Sequence, residues 1–468
     1  MTGGRRSLQD VVDAVPDLVE HLRNDTPGPA IRTRTDQIPV PAEFSNWRSE
    51  QRAWHETAIL FDQSHHMPEL FLSGPDALAL LSRVGVNRLA NLAPGRAKQF
   101  IGCAPDGSII GDCILCPLPG GVYELVSSMP LLNWVEYQAH VGGWDVTVVR
   151  DHNTADNPTG RRVRFRFQLD GPEAGAIFDE VVEGETPDIP FFRTATAVVA
   201  GVEVLVLRHG MAGRNRGVEI SGPYEHREAV RAAILAAGAP RGLRRGGLKA
   251  YFTTVYETGW IAYPLPAIYT GEELRGYREW LPADGWEGRF QLAGSLRRDR
   301  IEDYYLTPYD LGYGHLVSFD HDFVGRAALE AVAAAPPKKR VTLVWDTEDV
   351  LRVMRSLFEP GLPYKFLDLP IADYGVLMQR DEVRGADGRL VGQSTFCGYT
   401  ANTRAVLSLA VVDAEHAEPG TEVTITWGEP DGGSRKLRVE EHRQCTVRAV
   451  VAPAPYGAVP RLLTGAPV

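Results

Sequence analysis

Apolar and polar residues alternate along the last part of the chain, in short runs separated by turn residues. The runs are YGVLMQRDEV, RGADGRLVGQSTF, RAVLSLAVV and TEVTITW. Alternation with a period of two is typical of strands that bury one face. Several such strands in succession predict a small antiparallel barrel or sandwich. A helix-like run before them stops at Pro336 and Pro337, so we expect a separate C-terminal domain over residues 336–468.

The longer N-terminal part mixes helical and strand periods. HMPELFLSGPDALALLSRVG predicts a strand, a turn and a helix, and ATAVVAGVEVLVLRHG predicts a hairpin. The first residues, MTGGRRSLQDVVDAVPDLVEHLRNDT, predict one amphipathic helix that starts at Ser7, which makes 1–34 an N-terminal helical segment. Residues 35–335 hold the mixed part, and the fold class is α+β. A chain of 468 residues is longer than one hydrophobic core usually supports, in keeping with this division.

The charge balance argues against two kinds of partner. The chain carries 60 acidic and 49 basic residues, a net charge of -11, without a long basic block that would follow a nucleic acid. No window approaches the roughly 18 apolar residues of a membrane span, and the N-terminus lacks the apolar core of a signal peptide. We therefore expect a cytosolic protein without a nucleic acid or membrane partner. The sequence leaves the oligomeric state open.

The five cysteines predict neither disulfides nor a metal site. They are an odd number scattered over the chain, which does not describe a disulfide framework. Cys113 and Cys116 form a CxxC motif, but no second pair or histidine cluster accompanies it. We expect buried apolar thiols and no bound metal.

Common catalytic and phosphate-binding motifs are absent from the sequence. It contains no Walker loop, no GxGxxG, no GxSxG and no HExxH. The glycine-rich stretch RHGMAGRNRGVEISGP lies between two strand-like runs, so no helix N-terminus is there to bind a phosphate. His65 and His66 are read as neighbours on a strand, whose side chains point to opposite faces, so at most one faces a site.

Three segments in the same order resemble the folate-binding aminomethyltransferase family, the glycine cleavage T-protein and its relatives. They are DQSHHMPELFLSGPDALALL, TPYDLGYGHLVSFDHDFVGRAAL and DGRLVGQSTFCGYTANTRAVLSLAVV. The resemblance covers roughly residues 35 to 450. It implies a GcvT-like multi-domain fold, with an aminomethyltransferase-like folate-binding part over 35–335 and an antiparallel barrel after it. The implied cofactor is tetrahydrofolate.

Within this resemblance, Glu219 in GRNRGVEI matches the acidic residue that binds the pterin ring. The pterin edge presents two parallel N–H donors, which one carboxylate can accept together. A carboxylate half-buried without such a partner would cost several kcal/mol. The alternative is a solvated glutamate on a strand.

The likeness is greatest to the tetrahydrofolate-dependent aryl O-demethylases of the family, which act on vanillate, 3-O-methylgallate and syringate. It is carried by PAEFSNWRSEQRAW, DQSHHM and KAYFTTVYETGWIAYPLP. The T-protein branch has an acidic pair of which only Asp112 remains here. The YgfZ-like branch has a cysteine shortly before the glycine at Gly325, and none is present.

The resemblance assigns roles residue by residue. Tyr251 matches the catalytic tyrosine, and His66 matches a second residue of the active site. Gln63, Trp260 and Asp112 match positions that hold the cofactor. The chemistry suits these residues, because an aryl ether leaves as a phenolate and needs a hydrogen donor at its oxygen, which tyrosine or histidine supplies. The alternatives are an aromatic in a strand core for Tyr251 and a packed residue for His66.

Ser128 is the residue aligned with an arginine that pairs with the substrate carboxylate in vanillate-type enzymes. A serine cannot replace that charge, so we expect a neutral or differently anchored aromatic ether in the substrate pocket. A lignan such as sesamin would then give its methylenedioxy carbon as 5,10-methylene-tetrahydrofolate, whereas an aryl methyl ether would give the 5-methyl form. Amine-directed aminomethyl transfer and a folate-binding module without catalysis stay open as alternatives.

Overall fold

A computed structural model of the protein describes residues 5–27, 38–127, 129–209, 217–372, 379–436 and 439–456. The helices of these residues are α1 Leu8–Ala14, α2 Leu18–Asn24, α3 Trp47–Glu56, α4 Ala77–Val84, α5 Met129–Val141, α6 Ala174–Val181, α7 Arg227–Gly238, α8 Leu248–Thr258, α9 Arg275–Trp280, α10 Arg326–Val332 and α11 Thr347–Arg355. The strands are β1 Ala58–Asp62, β2 Glu69–Ser73, β3 Lys98–Cys103, β4 Ile109–Leu118, β5 Val122–Ser127, β6 Thr147–Asp151, β7 Arg164–Asp170, β8 Arg193–Val199, β9 Val202–Arg208, β10 Val218–Pro223, β11 Leu243–Gly246, β12 Lys338–Trp345, β13 Asp381–Arg384, β14 Leu390–Thr400, β15 Ala405–Asp413, β16 Glu422–Trp427 and β17 Cys445–Ala452.

The first sheet has six strands in the order β11-β1-β7-β10-β9-β8. Strands β1 and β11 are parallel, and the other neighbours are antiparallel. Helices α6 and α7 cover one face, where Phe167, Ile177 and Ile234 belong to one core cluster. The predicted hairpin ATAVVAGVEVLVLRHG is confirmed as β8 and β9.

The second sheet has five antiparallel strands in the order β3-β4-β5-β2-β6. Helices α4 and α5 pack on its outer face, with Leu80 and Leu131 in one core with Leu70 and Leu125. The strand and helix predicted for HMPELFLSGPDALALLSRVG are confirmed as β2 and α4.

The inner faces of the two sheets meet through polar side chains. Strand β7 reads RFRFQLD, and its alternate residues Phe165, Phe167 and Leu169 lie in the helix-covered core. The opposite face carries Arg166, which reaches Glu69 of the second sheet. A buried polar layer between sheets has to satisfy its own hydrogen bonds, and this layer contains the candidate site.

The C-terminal strands close into a six-stranded antiparallel barrel in the order β12-β15-β14-β13-β16-β17. Trp345 and Trp427 pack edge to face in its core, 5.3 Å between ring centroids. The barrel and the α+β class are confirmed. Helix α10 ends at Val332 and the first barrel strand begins at Lys338, around the two prolines. The domain limits 1–34, 35–335 and 336–468 stay predictions.

The N-terminal pattern forms two short helices rather than one. Ser7 caps α1 through a capping box with Asp10, as expected. Pro16 has no N–H to donate, and the chain leaves the helix at Val15 before Asp17 caps α2. The single helix predicted for this segment is therefore wrong.

All five cysteines are free and buried, as predicted. Burial raises the pKa of Cys113 well above its ordinary value, since a thiolate would be desolvated there. Across the described helices, none is long and apolar enough to span a bilayer.

Candidate active site

Tyr251 lies on helix α8, with its hydroxyl at the centre of a small polar cluster. The hydroxyl is 3.1 Å from Nε2 of His66, and Nε2 of Gln63 donates to it over 3.2 Å. The tyrosine ring packs edge to face on Phe61, 5.3 Å between centroids. The structure thus brings together three of the residues assigned from the sequence. Tyr251 is a helical residue, so the alternative of a strand aromatic is wrong.

His65 and His66 lie in a turn after β1, not on a strand as expected. Both are buried, at 5% and 6% exposure. The turn nevertheless sends the two rings to different partners: His65 bonds to Thr154 over 2.9 Å, and His66 contacts Tyr251. The two histidine side chains do point in different directions, as expected, but they do so because of the turn and not because of strand alternation.

The surroundings of Tyr251 raise its pKa above the ordinary value of 10. Burial is the largest cause, and the nearby Tyr263 and Glu219 add to it, against an opposing hydrogen bond from Gln63. The hydroxyl therefore stays protonated at physiological pH. It can donate a hydrogen bond, and it cannot act as a ready base.

Glu219, on β10, is buried and already ionically paired. Arg166 donates from Nη1 to one carboxylate oxygen, and His209 Nε2 lies 3.1 Å from the other. Burial by itself would raise the pKa of Glu219, but Arg166 and His209 lower it to about 2. Glu219 is 5% exposed, so the alternative of a solvated glutamate is wrong, and Arg166 and His209 pair with the carboxylate without a ligand. Binding of a pterin stays a prediction, and residues 210–216 of the glycine-rich stretch lie outside the described residues.

Arg166 connects three glutamates from both sheets. Its Nη2 donates to Glu69 and to Glu124, over 3.1 Å in each case, while Nη1 serves Glu219. Burial raises the pKa of Glu69 to about 7 in spite of the arginine. The sequence reasoning missed this arginine, although the alternating polar residues of RFRFQLD were a signal for it.

Asp112 and Trp260 form a second polar group. One oxygen of Asp112 accepts from Trp260 Nε1 over 3.1 Å and from the Tyr313 hydroxyl over 3.0 Å, and Gln99 donates to it as well. Burial raises the pKa of Asp112 to about 6, against the lowering effect of these hydrogen bonds. Both residues assigned from the sequence are in contact, and Tyr313 and Gln99 were missed.

Arg340, on the first barrel strand, is a further residue that sequence reasoning missed. Burial lowers the pKa of its guanidinium, while Tyr313 and Asp112 raise it. Within the described part of the chain it has no ion pair within 4.0 Å, and its Nε is buried without a hydrogen-bond partner. A half-buried guanidinium without an ion pair is suited to bind an anion. Ser128, assigned to the substrate pocket, lies outside the described residues.

Two facing sheets with a polar interior, followed by a closed barrel, define the architecture of the glycine cleavage aminomethyltransferases. The structure of aminomethyltransferase T from Bartonella henselae superposes with a TM-score of 0.59 at 19% identity, over 90% of this chain and 92% of that one. The model of the GCVT N-terminal domain matches residues 30–265. The chain belongs to this aminomethyltransferase (GcvT-like) family, as the sequence segments indicated.

Two relatives are more similar in sequence than the aminomethyltransferases. Syringate O-demethylase from Sphingobium sp. strain SYK-6 is 44% identical over 97% of each chain. Sesamin methylene transferase from Sinomonas sp. strain No.22 is 31% identical over 86% of this chain and 88% of the relative. An aminomethyltransferase from Streptomyces avermitilis is 29% identical over 82% and 85%. The demethylase branch is thus the better match.

Proposed function

We propose that this protein is a tetrahydrofolate-dependent one-carbon transferase that cleaves an aryl ether to a phenol or catechol. The observation that carries the proposal is the partly buried contact of Tyr251 with His66 and Gln63, beside the ionised Glu219. The favoured substrate is an aryl methyl ether of the syringate type, because syringate O-demethylase is more similar to this chain than sesamin methylene transferase is. A methylenedioxy donor comes second.

The residues present suit tetrahydrofolate. Glu219 is an ionised carboxylate, which accepts from the N–H edge of a pterin. The buried Oε1 of Gln63 has no hydrogen-bond partner among the described residues, so it can accept from a ligand. Arg340 offers a cation to the carboxylates of the folate tail. Trp260 supplies an aromatic ring against which the cofactor can pack. Asp112 supplies a hydrogen-bond acceptor, although it already accepts three hydrogen bonds.

Cleavage of an aryl ether requires a hydrogen-bond donor at the leaving oxygen, because the leaving group is a phenolate. When bound, tetrahydrofolate supplies N5 as the acceptor of the carbon. Tyr251 is neutral and can meet the ether oxygen with its hydroxyl, while His66 holds that hydroxyl in place. A phenolate is about as basic as a tyrosinate, so donation of a hydrogen bond rather than complete transfer is the expected role. A positioned donor of this kind contributes roughly 10²- to 10⁴-fold in rate.

The substrate carboxylate, where there is one, must be anchored without the arginine of the vanillate-type enzymes. Ser128 stands at that position, so a carboxylated substrate needs a different cation or hydrogen-bond donor. A neutral lignan ether would need neither. Saturable turnover of vanillate with ordinary affinity would contradict the inference from Ser128.

The test is mass spectrometry of the folate pool. Purified protein and tetrahydrofolate are incubated anaerobically with syringate, vanillate, a methylenedioxy lignan or dimethylglycine, each in a separate reaction. A 5-methyl product from syringate is the expected result, and a 5,10-methylene product from the lignan alone would move the assignment to ring opening. Reaction with the amine alone would favour aminomethyl transfer. Tight folate binding without any product would favour a binding module.

A further inference from the structure

A chain of buried hydrogen bonds runs from Tyr251 away from the site and ends at a carboxylate. Gln63 donates from Nε2 to the Tyr251 hydroxyl over 3.2 Å and to Oε1 of Gln168 over 2.6 Å. Nε2 of Gln168 donates to Oδ2 of Asp170 over 3.5 Å. The same oxygen accepts from the indole N–H of Trp54 over 2.8 Å. Asp170 and Gln168 are fully buried, so these bonds are formed away from bulk water.

The carboxylate of Asp170 fixes the donor-to-acceptor direction of each hydrogen bond in this series. An indole N–H can only donate, and the Gly171 amide also donates to Asp170, over 2.8 Å at Oδ1. Asp170 is therefore an acceptor, and Gln168 has to turn its amide nitrogen toward it. The Gln168 oxygen then faces Gln63, which must present its nitrogen. Reversing either amide would place two oxygens against each other in a buried position, which is costly.

The direction decides what Tyr251 can do. Because Gln63 donates to the tyrosine oxygen, the single hydroxyl hydrogen of Tyr251 points to His66 Nε2 in the ligand-free protein and would turn to the ether oxygen when a substrate binds. The sheet holds the members rigidly, since Gln168 pairs with Phe61 on β1 and with Glu219 on β10. The backbone at this position cannot shift without moving both neighbouring strands.

We propose that Asp170 is a positioning residue that, through Gln168 and Gln63, fixes Tyr251 as a hydrogen donor toward the ether oxygen. The inference rests on the proposed function, since it concerns the donor of the same site. When the carbon–oxygen bond breaks, the carbon would bond to N5 of tetrahydrofolate, whose N5 proton passes to solvent, and the electron pair of the broken bond stays on the ether oxygen, which accepts the hydrogen bond from Tyr251.

The first test substitutes Asp170→Asn. An asparagine replaces one of the two acceptor oxygens with an NH2 group, so the site no longer forces Gln168 to donate: an NH2 in place of Oδ2 lets the hydrogen-bond chain reverse but opposes the Trp54 N–H, and an NH2 in place of Oδ1 opposes the Gly171 N–H. Either way Tyr251 loses its fixed direction. We expect kcat to fall about 10- to 100-fold, the worth of one buried hydrogen bond, with KM for the aryl ether and affinity for tetrahydrofolate changed less than about twofold. In the Tyr251→Phe background the same substitution should have no further effect, because Asp170 acts through that hydroxyl.

A second readout needs neither cofactor nor turnover. Nitrogen-15 NMR of the folate-free protein reports whether His66 Nε2 accepts a hydrogen bond. We expect the acceptor signal in the parent and its loss in Asp170→Asn. Gln168→Met, which breaks the chain at another residue, should reproduce both effects if Asp170→Asn does not fold. Asp381→Asn, an equally buried aspartate of the barrel, is the matched control and should leave kcat and the His66 signal unchanged.

The outcomes separate the two proposals. Additive effects of Asp170→Asn and Tyr251→Phe, or parental kcat in both Asp170→Asn and Gln168→Met, would overturn the positioning role. Parental kcat in Tyr251→Phe would instead overturn the role of the tyrosine itself. An unchanged His66 signal in Asp170→Asn would count against the fixed direction even if activity fell.

Discussion

Arg166 donates to Glu219 across the neighbouring strands β7 and β10, and this pair connects the proposed cofactor carboxylate to the charges between the two sheets. The arginine keeps Glu219 ionised, and it also forms ion pairs with Glu69 and Glu124. One cation thus stabilises three buried carboxylates from both sheets, and removing it would leave all three without their shared partner.

We expect Arg166→Met to lower the free energy of unfolding by about 3 to 5 kcal/mol, the usual cost of removing one member of a buried ion pair. Urea denaturation followed by circular dichroism measures the change. Arg244→Met, on the exposed side of β11, is the matched control and should change stability by less than about 0.5 kcal/mol. Equal stability of the Arg166 variant and the parent would contradict the structural role.

Glu219→Gln should weaken tetrahydrofolate binding about 10- to 100-fold, because the charge-assisted acceptor becomes a neutral amide. Fluorescence titration of the apo protein measures the affinity. Glu203→Gln changes an exposed glutamate on the neighbouring strand β9 and should bind as the parent does. If Glu219→Gln kept full affinity, the pterin assignment would be wrong.

Tyr251→Phe should lower kcat about 10²- to 10⁴-fold with little change in KM, since the hydroxyl is needed at the leaving oxygen and not for binding. Steady-state kinetics with the aryl ether identified by the folate assay measures both constants. Tyr123→Phe, on β5, is the matched control. Unchanged turnover would remove Tyr251 from the mechanism.

His66→Ala should lower kcat about tenfold or more, because the Tyr251 hydroxyl loses the partner that orients it. The adjacent His65 provides a control in the same turn. His65→Ala removes a buried ring that contacts Thr154 and leaves the Tyr251 contact in place. Equal losses in the two variants, per folded molecule, would show that the turn rather than the His66 ring matters.

Asp112 gives a prediction about pH. Its pKa rises from the ordinary 3.8 to about 6 on folding, so the folded protein holds the proton more tightly. The associated stabilisation is complete below pH 3.8 and is lost as the pH rises through 6. The free energy of unfolding of the parent, relative to Asp112→Asn, should therefore fall by about 2 to 3 kcal/mol from pH 4 to pH 8. Denaturation of both proteins at several pH values tests this, and a constant difference would exclude a raised pKa.

Local patterns were sufficient for the antiparallel C-terminal strands and for the β8–β9 hairpin, whereas the family resemblance was needed to predict a barrel rather than a sandwich. Each depends on alternation within a few residues, which the chain displays directly. The same reasoning failed at His65 and His66, because two adjacent histidines show no periodicity that would distinguish a strand end from a turn. It also failed at Pro16, where one missing N–H divided the predicted helix.

The candidate site was only partly accessible from the sequence. Resemblance to the family singled out Tyr251, His66, Gln63 and Glu219, and the fold brings the first three into contact. Resemblance did not provide the partners of these residues. Gln168 and Asp170 were missed because they carry no motif and lie more than a hundred residues from Gln63.

The strand RFRFQLD shows what each level decides. The sequence by itself determined that Arg166, Gln168 and Asp170 share one face of a strand, because side chains alternate along an extended backbone. It could not determine what lies opposite that face, and a polar face is usually solvated. The tertiary structure placed the second sheet there, so Arg166 meets Glu69 and Gln168 meets Gln63. Alternation is a local property of the chain, whereas the partner of a face depends on how distant strands pack.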